Sequence, residues 1–151
     1  MEIKDFLLPA DALINVRVSD KTRLLQELAA RAASALNLDV NRISVELLKR
    51  EHLGSTGTGS GVAIPHARIP DLKKPFGILV RLRNPIDFEA IDGKPVDVIF
   101  LLLLPAQSQG DSLNALASIA RRLRDPESLQ RLRSAADAAG LYSAMLTEPR
   151  R

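Results

Sequence analysis

The residues able to do chemistry gather in one stretch, Arg50-Glu-His-Leu-Gly-Ser-Thr-Gly-Thr-Gly-Ser-Gly-Val-Ala-Ile-Pro-His-Ala67, which holds both histidines of the chain. An imidazole with an ordinary pKa near 6.5 is largely unprotonated at neutral pH, so His66 is a candidate nucleophile that needs no strong base. Pro65 has a fixed φ and restrains the direction in which the chain enters His66. Ahead of it, four glycines and four hydroxyl residues fill positions 54 to 61. Glycines tolerate positive φ and close approach of a ligand, so the backbone N–H groups around Ser55, Thr56, Gly57, Gly59 and Gly61 are expected to converge on an anion. Arg50, at the end of the preceding helix, would add a cation. Together these groups suit a phosphoryl group arriving at His66, a transfer that rests on positioning and electrostatics. The plainer readings are a flexible Ser/Gly turn and a surface histidine with no task. His52 reads as a solvated or capping residue on a helix.

The familiar nucleotide motifs do not fit. A P-loop needs Lys then Ser or Thr after its last glycine, whereas Gly59 is followed by Ser60-Gly61. A Rossmann loop opens a helix, but this one leads into Val62-Ala-Ile-Pro65. Without cysteine, disulfides, thiol catalysis and Cys-based metal sites are excluded, and two histidines make a catalytic metal site unexpected. No cofactor is implied.

The elements that must position these residues follow from periodicity. Ser19 to Leu36 reads as an amphipathic helix with Leu24, Leu25, Leu28, Ala29, Ala32 and Leu36 on one face and Ser19 as N-cap. A second helix is expected from about Asn41 to Leu53, with Ile43, Leu47 and Leu48 inward and Gly54 ending it in the left-handed conformation. The period then becomes extended. Gly61 to Ile64 is a short apolar run stopped by Pro65, which places His66 just past a strand, where loops gather. Gly77 to Arg83 alternates as a strand, and Val96 to Leu104 is apolar enough to be covered on both faces. Further on, Leu113, Leu116, Ala117, Ala120 and Leu123 form a helical stripe. Asp125-Pro126 starts another helix containing Leu129 and Leu132, and a short helix closes the chain near Leu141 to Leu146. The expectation is an α/β fold: a single domain over residues 1–151 with a central mixed β-sheet flanked by helices on both faces.

Composition agrees with one domain: 151 residues, 46% hydrophobic and 26% charged, suffice for one substantial core. The longest apolar run, Val98 to Leu104, is too short to span a bilayer, which takes roughly 20 residues. No export signal is visible at the N-terminus, so a cytoplasmic location is expected. The net charge of +3 would suit an acidic partner. Nucleic acid is disfavoured, because the arginines alternate with acids along helix faces and aromatic residues are only 3%.

Gly54-Ser-Thr-Gly-Thr-Gly-Ser-Gly-Val-Ala-Ile-Pro-His66 closely resembles the signature of type-2 phosphotransferase-system enzyme IIA domains. In that family the histidine after Ala-Ile-Pro accepts a phosphoryl group from a small histidine phosphocarrier of the HPr or NPr kind. The resemblance continues through Asn84 to Phe100 and Leu104-Pro-Ala106, and so covers nearly the whole chain. It implies that His66 is the acceptor and that Arg50 is the arginine the family places beside it. Gly-Ser-Thr-Gly-Thr-Gly and Phe88-Glu-Ala-Ile-Asp-Gly look most like the nitrogen-regulatory form, whose phosphorylation state controls partner proteins. The sugar-specific form, which passes the group to a transporter's IIB domain, and a binding module without phosphotransfer are the alternatives. One departure stands out: many members have a second histidine in a His-Leu-x-x-Leu pattern, where this chain has Ser112-Leu-Asn-Ala-Leu116. A Ser112 hydroxyl can hydrogen-bond a phosphoryl oxygen but offers no imidazolium.

Overall fold

The structure, a computed structural model, describes residues 1–107 and 110–150. Its centre is β6 (Val96–Pro105), buried along its length except at Asp97. Such a strand needs cover on both faces. β6 pairs antiparallel with β5 (Phe76–Ile86), and β5 pairs parallel with the edge strand β1 (Leu7–Val16). On its other side β6 pairs in parallel with two short strands, β3 (Val62–Ala63) and β4 (His66–Ile69). The outermost strand β2 (Gly57–Gly59) pairs antiparallel with β3. The sheet is therefore mixed, in the order β1-β5-β6-β3-β2 with β4 also on β6.

Alternation along β6 divides the core. Ile99, Leu101 and Leu103 pack against α1 (Lys21–Leu36) and α2 (Val40–Leu53), with Leu24, Leu28, Ile43 and Leu47 facing them. Val98, Phe100, Leu102 and Leu104 face the other way, onto α3 (Gly110–Arg124), α4 (Pro126–Ser134) and α5 (Ala138–Leu146). Helices cover both faces, as expected. Arg81 of β5 ties the second layer to the sheet, its Nη1 donating to the carbonyls of Leu132, Arg133 and Ala135 at 2.9, 3.2 and 2.8 Å. These lie at the C-terminus of α4, where carbonyls lack helical partners.

Several local expectations are corrected. The N-cap of α1 is Asp20, whose Oδ1 accepts from Arg23 N–H at 2.8 Å, and not Ser19. A carboxylate there also meets the positive end of the helix dipole. Gly54 ends α2 at φ 155°, ψ 148° instead of the left-handed helical conformation, and the chain runs on through Ser55 and Thr56 into β2. Leu48 is exposed, and α2 buries only Ile43 and Leu47. On α3 the buried stripe is Ser112, Ala115, Ile119 and Leu123, so Leu113 and Ala117 point to solvent. Pro65 does not end the sheet: β4 resumes at His66 on the same partner.

Candidate functional site

His66 is the first residue of β4, its Cα opposite Leu102 of β6. The backbone entering it is held by the Leu102 N–H, which donates to the Pro65 carbonyl at 2.9 Å. Ala67 and Ile69 are buried under α1 and α2, while the imidazole is half-buried at the sheet edge. Nδ1 lies 2.8 Å from the carbonyl oxygen of Ile64. A carbonyl only accepts, so Nδ1 carries the proton and the lone pair of the neutral ring is on Nε2. The described residues give Nε2 no hydrogen-bond partner.

Burial is the main cause that holds the His66 pKa below 6.5; the bond to Ile64 acts upward, Arg50 downward, Glu51 upward and Arg68 downward. The balance favours the neutral ring at physiological pH, with a nucleophilic nitrogen facing away from its anchor. Both arginines are themselves oriented by carbonyls. Arg50, in the last turn of α2, donates from Nη1 to Gly54 at 2.8 Å. Arg68, two residues beyond His66, donates from Nη1 to Pro105 at 3.1 Å.

The Gly-rich stretch is a β-hairpin. Gly59 pairs with Val62, leaving Ser60 (φ 58°) and Gly61 (φ 80°) as a two-residue turn with both φ positive, the sign pattern of a type I′ turn. Its N–H groups are largely engaged within the fold. Thr56 N–H donates to Glu51 at 3.2 Å, Gly57 N–H to the Ser55 hydroxyl at 3.0 Å, and Ser60 N–H to Asp92 at 3.0 Å. The hairpin also separates the predicted residues. Val62 pairs with Val98 whereas His66 pairs with Leu102. Four positions of strand are about 13 Å. The turn with Gly59 and Gly61 is therefore at the far end of β6 from His66, tied down by Arg133, which donates to Ser60 O at 2.6 Å and pairs with Asp97 at 2.9 Å. Ser55, Thr56 and Gly57 are at the near end, where Ile64 N–H donates to the Thr56 carbonyl at 3.0 Å. Ser112 is buried in the first turn of α3, which follows the C-terminal end of β6, the end at which His66 pairs. His52 is exposed.

Sequence reading overlooked Glu51 and Lys21. The Glu51 carboxylate, 6% exposed, pairs with Lys21 at 2.8 Å and accepts both the N–H and the hydroxyl of Thr56. Lys21 also lies 4.5 Å from the centroid of the Phe88 ring. No spacing signal could reveal a pair thirty positions apart; a charged pair on two otherwise amphipathic helices looks like ordinary solvated surface.

Residues 6–147 match the family described as phosphoenolpyruvate-dependent sugar phosphotransferase system, EIIA 2. The chain is 46% identical over 149 residues to a nitrogen regulatory protein of Bradyrhizobium diazoefficiens, spanning 99% of this chain and 97% of that one. It is 38% identical over 147 residues to a nitrogen regulatory protein of Pseudomonas aeruginosa, spanning 97% and 96%. Among solved structures, the nitrogen regulatory protein IIA-Ntr of Neisseria meningitidis superposes with a TM-score of 0.90 at 33% identity, covering 95% of this chain and 98% of that one.

Proposed function

The chain belongs to the EIIA 2 family of the phosphoenolpyruvate-dependent sugar phosphotransferase system, and on that premise we propose that it is a regulatory phosphoryl carrier whose acceptor is His66. The observation that carries the reading is the state of that imidazole: Nδ1–H is held by the Ile64 carbonyl, Nε2 is left as the nucleophile, and the guanidinium groups of Arg50 and Arg68 bear on it. In the transfer, the Nε2 lone pair attacks phosphorus. The N–P bond to the donor's histidine breaks as the new one forms, and the proton stays on Nδ1, donated to the Ile64 carbonyl. Arg50, with Arg68, would stabilise the charge on the equatorial oxygens. Ser55, Thr56 and Gly57 hold the acceptor strand in place, Gly59 and Gly61 shape the hairpin behind them, and Ser112 is a further hydroxyl residue, buried at that end of β6.

The donor is a histidine phosphocarrier protein of the HPr or NPr kind, and the readout is a cytoplasmic partner that distinguishes the two phosphorylation states. Names of the relatives support the regulatory rather than the sugar-specific role. Incubation with phosphoenolpyruvate, enzyme I and a phosphocarrier tests this: the protein should gain one acid-labile phosphoryl group, His66→Ala none, and His52→Ala as much as wild type. An unlabelled wild type or a labelled His66→Ala overturns it. The phosphorylated protein should also retain its group when mixed with fructose- or mannitol-type IIB domains; rapid loss would assign it to transport.

A further inference from the structure

A continuous set of contacts joins a buried ion pair to the proposed acceptor. Glu51 Oε2 accepts from Lys21 Nζ at 2.8 Å and from Thr56 N–H at 3.2 Å, while Oε1 accepts the Thr56 hydroxyl. The Thr56 carbonyl accepts from Ile64 N–H at 3.0 Å, and the Ile64 carbonyl accepts from Nδ1 of His66 at 2.8 Å. The same ion pair holds Thr56 from its other side. Lys21 lies over the Phe88 ring, the Phe88 carbonyl accepts the Ser55 hydroxyl at 2.9 Å, and Ser55 Oγ accepts Gly57 N–H at 3.0 Å.

We propose that Lys21 and Glu51 are positioning residues which, through Thr56 and Ile64, fix the ring orientation and tautomer of His66 so that Nε2 is presented to the phosphoryl donor. The inference rests on the reading of His66 as acceptor. Stability alone is a poor reason for such a pair. With side chains only 15% and 6% exposed, both ions are largely desolvated, and burying a charge pair is often no more favourable than an apolar substitute. What it supplies is direction: a carboxylate with three donors around it leaves Thr56 one place to be. The peptide that anchors Nδ1 then has one place as well. If that anchor shifts, the ring is free to rotate or to carry its proton on Nε2, which removes the nucleophile. Glu51 is also adjacent to Arg50, so the last turn of α2 delivers the anchor and a phosphoryl-facing cation together. Misplacement of a reacting group by about 1 Å costs up to ~100-fold in rate, far more than one net hydrogen bond would suggest.

The test reads the imidazole directly and the rate separately. Long-range nitrogen–proton spectra of the full chain should show the Nδ1–H tautomer of His66 in wild type, and a mixture with the Nε2–H form in Glu51→Gln and Thr56→Val. Thr56→Ser, which keeps the hydroxyl, should resemble wild type. Because loss of Glu51 leaves the largely buried Lys21 only the exposed Glu89, at 3.4 Å, as an ion-pair partner, the double variant Lys21→Met/Glu51→Gln is included; it removes both buried charges and should show the same mixed tautomer in a folded protein. With phosphoramidate as a small donor, phosphorylation of His66 should slow by about tenfold or more in the folded variants that lose the anchor. An unchanged tautomer and unchanged rate in folded Glu51→Gln and in the double variant overturn the proposal. A wild type inert to phosphoramidate and to phosphocarrier overturns the acceptor reading instead, and the spectra still decide whether the ion pair sets the ring.

Discussion

At the scale of single residues, the proposed site is a histidine made nucleophilic by where its proton is held, and two consequences follow. Arg50 contributes charge near His66 while its own hydrogen bond, to Gly54, is at the surface. Arg50→Ala should therefore slow phosphoryl transfer by about 10- to 100-fold with little change in the unfolding midpoint, and Arg50→Lys should recover part of the rate because charge survives without the planar fork. A large loss of stability with an unaltered rate would contradict this role. The second consequence concerns pH. The folded-state pKa of His66 lies below 6.5, so in the window between it and 6.5 the unfolded chain binds more protons. The contribution of His66 to stability is then complete above 6.5 and lost as pH falls through that window. Denaturant midpoints measured from about pH 7.5 down to about pH 5.5 should fall more steeply for wild type than for His66→Gln, with the exposed His52 common to both. Equal slopes would mean that burial does not penalise the charged ring. The sequence exposed His66 and Arg50 because their types and nearness to the Gly-rich run are visible in one dimension. Lys21 and Glu51 stayed hidden because their meaning depends on the fold bringing α1, α2 and the hairpin together.

At the scale of elements, legibility followed the strength of the local signal. The apolar run of β6 and the Asp-Pro start of α4 carry their own boundaries. β1 does not: Pro9, the polar Asp11 and Asn15, and register shifts between Leu7 and Ala12 and between Leu13 and Val16 break the alternation. A proline is tolerated there because β1 is an edge strand. On α3 the expected stripe holds at Leu116, Ala120 and Leu123, which pack on the core, and fails at Leu113 and Ala117, which are apolar but exposed while Ser112, Ala115 and Ile119 are buried. In sequence the hairpin reads equally as an anion cradle or as a Ser/Gly turn, because glycines signal freedom without saying what uses it. At Gly57 the use is close approach: a Cβ there would come within 2.8 Å of the Ala90 Cβ and 2.9 Å of its Cα. Gly57→Ala should thus displace the segment around Ala90, destabilise the fold by about 1–3 kcal/mol and slow transfer through Thr56. Arg81→Met, by contrast, should lower stability by about 2 kcal/mol through three lost carbonyl contacts at α4, with phosphoryl transfer close to wild type. Chemical denaturation beside a transfer assay separates the two; equal effects on rate would refute the distinction.

At the scale of the whole molecule, one strand serves two cores, and this sets how the protein should unfold. Phe100 and Leu101 are consecutive on β6, both fully buried, and face opposite helix layers. Phe100 fits because Gly77 on β5 has no side chain: a Cβ there would come within 2.6 Å of its ring, and Phe6 meets that ring edge-on with centroids 6.2 Å apart. Were the two layers independent units, Leu101→Ala would loosen only α1 and α2, and Phe100→Ala only α3 to α5. Since β6 pairs with β5, β3 and β4 at once, neither layer can be lost without unpairing the sheet that holds the other. Each substitution should cost about 3–5 kcal/mol, a large share of the roughly 5–15 kcal/mol available to a domain of this size. Each should move the midpoint of a single cooperative transition without changing the denaturant dependence of its free energy. Far-ultraviolet circular dichroism, which follows all five helices, and fluorescence of Tyr142, which packs against the core on the α5 side, should report coincident curves in both variants. A Leu101→Ala protein in which the Tyr142 signal persists after helix content has partly melted would show the layers uncoupled. His66, which stands at the edge of the sheet between them, would then lose its anchor from α2 before the α3 side of the site unfolds.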